Sequence, residues 1–88
     1  MRYRDRIDII GQILETANGR NVTRSKIGYQ TFLNYGQLKE NLAALTQKDL
    51  LFYDEYTRTF KTTEKGLRFL YTYYLIGDMI KEEQQKWI

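Results

Sequence analysis

The sequence predicts a mainly α-helical fold with one small β-hairpin and a long final helix. Three observations lead there: helix-like blocks separated by stop signals fill the first half, "LLFYDEYTRTFKT" reads as strand, turn and strand, and no proline interrupts the stretch from Glu64 to Ile88. A chain of 88 residues has room for one domain with a thin core. Cysteine is absent, so neither a disulfide framework nor a thiolate metal site can staple it, and packing or a partner must hold it together.

From Arg4 to about Asn18, Ile7, Ile10, Ile13, Leu14 and Ala17 recur at helical spacing, and "ANGRN" supplies glycine and asparagine where that helix should stop. Thr23 is placed to cap a short second helix, "RSKIGYQT", which carries Ile27. The residues "FLN" then turn the chain before a third helix opens at Asn34, with Leu38, Leu42 and Leu45 as its apolar stripe. After "TQKD", "LLFY" is the first strand, "DEYT" the turn and "RTFKT" the returning strand. No Asn-Gly pair marks the hairpin, which leaves its loop geometry open. Thr62 or Thr63 caps the last helix.

The common signatures of catalysis are not found in the sequence. Histidine, the usual proton shuttle and commonest metal ligand, does not occur. The acidic pairs Asp54-Glu55 and Glu82-Glu83 sit in strongly polar contexts and read as solvated surface. The six glycines stand singly, forming neither a phosphate loop nor a nucleophile elbow. The expectation is a protein that is not an enzyme, with no cofactor, metal or small-molecule ligand. The start, "MRYRDRIDIIGQ", is interrupted by Asp8 and does not read as a signal peptide, and no apolar run reaches membrane-spanning length. A soluble, intracellular protein with no membrane contact is expected.

Short second helix, tight turn, third helix and then a hairpin is the winged helix-turn-helix order, in which the third helix can enter a major groove and the hairpin can lie on the flanking backbone. The leucine stripe anchors the third helix on the first two and leaves its opposite face outward. A plain helical domain with a hairpin lid is the alternative.

The stretch "VTRSKIGYQTFLNYGQLKENLAALTQKDLLFYDEYTRTFKTTEKGLRFL", Val22 to Leu70, resembles the small archaeal winged-helix DNA-binding proteins grouped with predicted transcriptional regulators and chromatin-associated proteins. The similarity covers more than half of the chain and is carried by "FLNYGQL", "DLL" and "TTEKGLRFL" as a set. It implies double-stranded DNA as partner, a cytoplasmic, nucleoid-associated location, and a homodimer joined by an antiparallel coiled coil of the last helix. The corresponding division is a DNA-binding domain over 1–66 and a dimerisation helix over 63–88, continuous with it.

Charge is distributed as that partner requires. Between Glu15 and Glu40 no acidic residue occurs, while Arg20, Arg24, Lys26 and Lys39 contribute four positive charges. With a total of +3, the remainder sums to 3 − 4 = −1, so the whole excess lies on the helix-turn-helix half. Arg20, Arg24, Lys26 and Arg58, with Lys61, are the expected phosphate contacts. Opposite the leucine stripe lie Gly36, Glu40, Ala43 and Gln47, flanked by Tyr35, Gln37 and Lys39. Tyr35, Gln37, Lys39 and Glu40 are the expected base contacts, with Gln37 suited to adenine and Glu40 to a cytosine amino group. Glu40 departs from the more basic helix of the family, which favours a sequence-selective or a weak reader over tight general binding.

Three readings follow: a dimeric DNA-binding regulator, a nucleoid protein of low selectivity, and a winged helix used to bind a basic protein through the acidic hairpin tip. The last helix carries two apolar stripes. Leu67, Leu70, Tyr71 and Tyr74 are expected to pack on their own domain. Phe69, Tyr73, Ile76, Ile80 and Trp87 form the second, expected to join two copies, with folding back on helix one as the alternative.

Overall fold

The computed structural model describes residues 5–86, with side chains for residues 5–79. Helix α1 (Arg6–Thr16) begins after Asp5, whose carboxylate accepts the Asp8 N–H at 2.9 Å and satisfies an otherwise orphaned first-turn donor. The chain then forms a two-residue strand β1 (Val22–Thr23), and the Thr23 hydroxyl accepts the Lys26 N–H at 3.1 Å to start α2 (Arg24–Thr31). Phe32 ends α2 in the left-handed region, at φ 59°. Asn34 and Gln37 close a reciprocal capping box at the start of α3 (Tyr35–Gln47), which is why that helix can begin two residues after so tight a turn.

Strands β2 (Leu51–Asp54) and β3 (Thr59–Thr62) make the hairpin, one residue later at each start than the sequence suggests. The sheet is wider than the hairpin that was expected, because β1 pairs with β3 to give the antiparallel order β1-β3-β2. A two-residue strand is too short for periodicity to register, and its second residue doubles as the α2 cap.

Thr63, rather than Thr62, caps α4 (Glu64–Lys86): its hydroxyl accepts the Gly66 N–H at 2.9 Å and donates to the Asp49 carbonyl at 2.7 Å. Thr62 is instead buried, donating to the Leu14 carbonyl at 2.7 Å, so its polar atom is satisfied in the interior. Ile13, Leu14, Ile27 and Leu51 are almost fully buried, each stabilising the fold by roughly 1.5–3 kcal/mol. Leu38, Leu42 and Leu45 complete the core from α3, as their spacing predicts.

The inward face of α4 differs from the predicted one. Leu70 is buried, and Phe69 and Tyr73 pack against the core beside it, whereas Tyr71 is 66% exposed and Leu67 40%. Two glycines set this rotation. Gly66 lies against the Leu50 carbonyl with no room for a Cβ, and a Cβ on Gly11 would stand 2.7 Å from the Tyr73 ring. Glycine at such points lets backbones approach closely, a contribution that a count of apolar side chains omits. Tyr73 donates to Asp8 at 3.0 Å and Tyr74 to Glu15 at 2.7 Å, so α4 runs back along α1. Two of the five residues assigned to the contact with a second copy, Phe69 and Tyr73, thus face their own domain.

Candidate nucleic-acid interface

Two adjoining clefts open where α2, α3 and the sheet meet. The first, of about 730 Å³, lies between the α2 N-terminus (Thr23, Arg24, Ser25) and the hairpin (Tyr53, Glu55, Thr57, Arg58, Phe60). The second, of about 470 Å³, lies between α3 (Lys39, Leu42, Ala43, Thr46, Gln47) and the same sheet residues Tyr53 and Phe60, with Arg24 at its edge. Arg24, Tyr53 and Phe60 line both. Arg24 is therefore the junction of a continuous groove running from the hairpin tip to α3.

Local chemistry fixes the groove walls. Tyr53 and Phe60 are cross-strand partners whose rings stand 4.8 Å apart at 44°, giving the sheet an aromatic face of the kind that stabilises such pairs. At the hairpin tip the Asp54 carboxylate accepts the Tyr56 and Thr57 N–H groups at 2.9 and 3.4 Å. Asp54 is thus a half-buried turn former, not the freely solvated acid that the sequence suggests. Arg58 closes the turn at φ 56°, while Asn21 donates to Thr59 at 3.0 Å and ties the β1 approach to the hairpin.

Among the described residues the one ion pair is Arg68–Glu64, at 3.9 Å on α4. Arg24, Lys39 and Arg58 therefore stand at the groove without a carboxylate partner, as do Arg20, Lys26 and Lys61 elsewhere on the surface. A cation already paired would have to break that pair to meet a phosphate. These do not.

Of the residues singled out in the sequence, the clefts bring together Arg24, Lys39 and Arg58. Arg20, Lys26, Tyr35 and Lys61 are exposed outside both clefts, Lys61 on the opposite face of β3 beside Phe52. Gln37 and Glu40 occupy the other flank of α3, in a cleft shared with Arg6 and Ile9 of α1. The Gln37 side chain also accepts the Asn34 N–H at 3.4 Å. Ala43, Gln47, Thr57, Tyr53 and Phe60 were not among the predicted contacts. The helical wheel already places Ala43 and Gln47 opposite the leucines, but nothing in the sequence says which flank of α3 the sheet borders.

A family profile described as winged helix-turn-helix matches residues 3–81. The chain belongs to the winged helix-turn-helix family. No curated protein matches it. In winged helices the arrangement found here, a helix after a tight turn beside a small sheet, typically serves DNA binding and not catalysis. Among the described residues no group of histidine, cysteine or acidic side chains could hold a metal ion, and no helix is long and apolar enough to cross a membrane.

Proposed function

We propose that this winged helix is a dimeric DNA-binding transcriptional regulator, acting on the nucleoid in the cytoplasm, as the resemblance to small archaeal regulators implies. The observation that carries the reading is Arg24, unpaired and shared by the α2–hairpin and α3–sheet clefts. With α3 in a major groove, Arg24 and Arg58 meet phosphates on either side of the groove mouth and fix register. Lys39, Ala43 and Gln47, at intervals of four along α3, form the row turned to the bases. Arg20, Lys26 and Lys61 add phosphate contacts at the margin, and Tyr35, Gln37 and Glu40 meet bases only on the far flank.

The dimer is drawn through the distal half of α4. The side-chain bond Tyr74–Glu15 ties α4 to α1, and beyond it an open cleft beside α1 reaches Ile76, Gly77 and Asp78, while α4 continues to Lys86 and its 23 residues span roughly 35 Å. Ile76 and Met79 remain 51% and 65% exposed. Ile80 and Trp87, which the sequence assigns to the stripe of Ile76 and whose side chains lie outside the described residues, complete the proposed contact with a second copy. Antiparallel pairing is an implication of the family resemblance. The domain and its dimerisation helix then overlap, since Leu70 belongs to the core.

A second reading, a nucleoid protein of low selectivity, is favoured by one observation: Gln37, the expected adenine contact, has its side chain engaged in the α3 capping box. Mobility-shift titrations of random and selected duplexes at two salt concentrations decide. The regulator enriches one motif; the nucleoid protein binds all duplexes alike with a steep salt slope. Failure to bind any duplex contradicts both.

A further inference from the structure

The α3–sheet cleft is apolar where a base-reading surface would be expected to carry hydrogen-bonding groups. Its walls are Leu42, Ala43 and Thr46 on one side and the Tyr53 and Phe60 rings on the other, with Lys39 and Arg24 at the rim. Ala43 is exposed on the row between Lys39 and Gln47. It has no polar atom in its side chain, so it cannot recognise a donor or acceptor on a base edge. The major groove offers one apolar group, the 5-methyl of thymine.

We propose that this cleft reads thymine through its 5-methyl group, with Ala43 as the specificity-determining contact. The inference rests on the DNA-binding reading above and names what that site selects. Arg24, unpaired at the rim, holds the flanking phosphate and brings the base edge to the apolar floor, while Lys39 precedes Ala43 on the row turned to the bases. Gln47 lies four residues on, about 6 Å along the helix, or nearly two base steps. At that distance it is placed to pair with adenine near the thymine that Ala43 contacts.

The test uses the full chain and a duplex selected from a random pool, compared with the same duplex in which every thymine is replaced by deoxyuridine. Charge, pairing and length are unchanged; only methyl groups are lost. The expected result is an affinity about fourfold weaker for each methyl contacted, the worth of burying one such group. Ala43→Ser, at an exposed helical position, is expected to bind the thymine duplex more weakly and to lose most of the difference between the two duplexes. Equal wild-type affinity for both duplexes overturns the proposal, as does an Ala43→Ser protein that keeps the wild-type ratio. A selected duplex without thymine overturns it too, while leaving DNA binding intact. Absence of binding to either duplex instead removes the reading on which it rests.

Discussion

The Tyr74 hydroxyl donates to the Glu15 carboxylate at 2.7 Å, joining α4 to α1 across 59 positions of sequence. Burial, then this hydrogen bond and the Glu15 charge, push the Tyr74 phenol from 10.0 up to about 12. Tyr73 is raised in the same direction by burial and by its bond to Asp8. A raised phenol favours the protonated folded form, so this stabilisation is fully present below about pH 10 and is lost as pH rises through about 12. Ultraviolet titration of the eight tyrosines should show two phenols ionising late in the folded protein, and α1–α4 packing should loosen over that window. Tyr73→Phe with Tyr74→Phe should remove the late phase; late ionisation that persists in the double variant contradicts the assignment.

Gly66 and Gly11 should respond unequally to alanine. Either substitution improves helix propensity by about 1 kcal/mol. At Gly66 the new methyl meets the Leu50 backbone carbonyl, which cannot yield without moving α4, and overpacking of this kind costs about 1–3 kcal/mol or more. At Gly11 it meets the outer edge of the Tyr73 ring, which can swing aside at the loss of the Asp8 hydrogen bond, worth about 1 kcal/mol. Urea denaturation should therefore find Gly66→Ala clearly destabilised and Gly11→Ala close to wild type. The reverse order would contradict the packing described for α4.

Phe32 is 86% exposed and sits at φ 59°, where a bulky side chain is strained. Phe32→Gly should raise stability by about 0.5–1 kcal/mol, since glycine adopts this helix-ending conformation freely and little packing is lost. A loss of stability on thermal denaturation would mean that the ring makes contacts the structure does not show.

These cases mark what could be read from sequence. Leu38, Leu42 and Leu45 announced the buried face of α3 by spacing alone, and Thr23 and Asn34 announced the helix starts, because caps and stripes are local signals. The rotation of α4 was not legible. Its wheel offers apolar residues on several sides, and the choice among them is made by the glycine contacts with Leu50 and Tyr73, which are remote in sequence. The groove was half legible for the same reason. Arg24, Lys39 and Arg58 declared themselves by charge, whereas Tyr53 and Phe60 became groove walls only once β3 had paired with both neighbours.

The distal half of α4 provides the test of assembly. Ile76→Asp with Ile80→Asp should convert a dimer into a monomer on sedimentation at tens of micromolar, and weaken DNA binding through loss of the second reading helix. A wild type already monomeric at that concentration, or a variant that stays fully dimeric, would assign the exposed Ile76 and Met79 another role.

Whether the groove joined at Arg24 holds the DNA backbone is measured most directly by the salt dependence of affinity. Arg24→Ala and Arg58→Asn each remove one cation; asparagine is chosen at 58 because it tolerates the left-handed backbone of that turn. Each variant should bind every duplex more weakly and reduce the slope of log affinity against log salt by about 1, while Arg68→Ala, which removes a cation on α4 already paired with Glu64, should leave the slope unchanged. Slopes that stay at the wild-type value in both Arg24→Ala and Arg58→Asn would contradict the account.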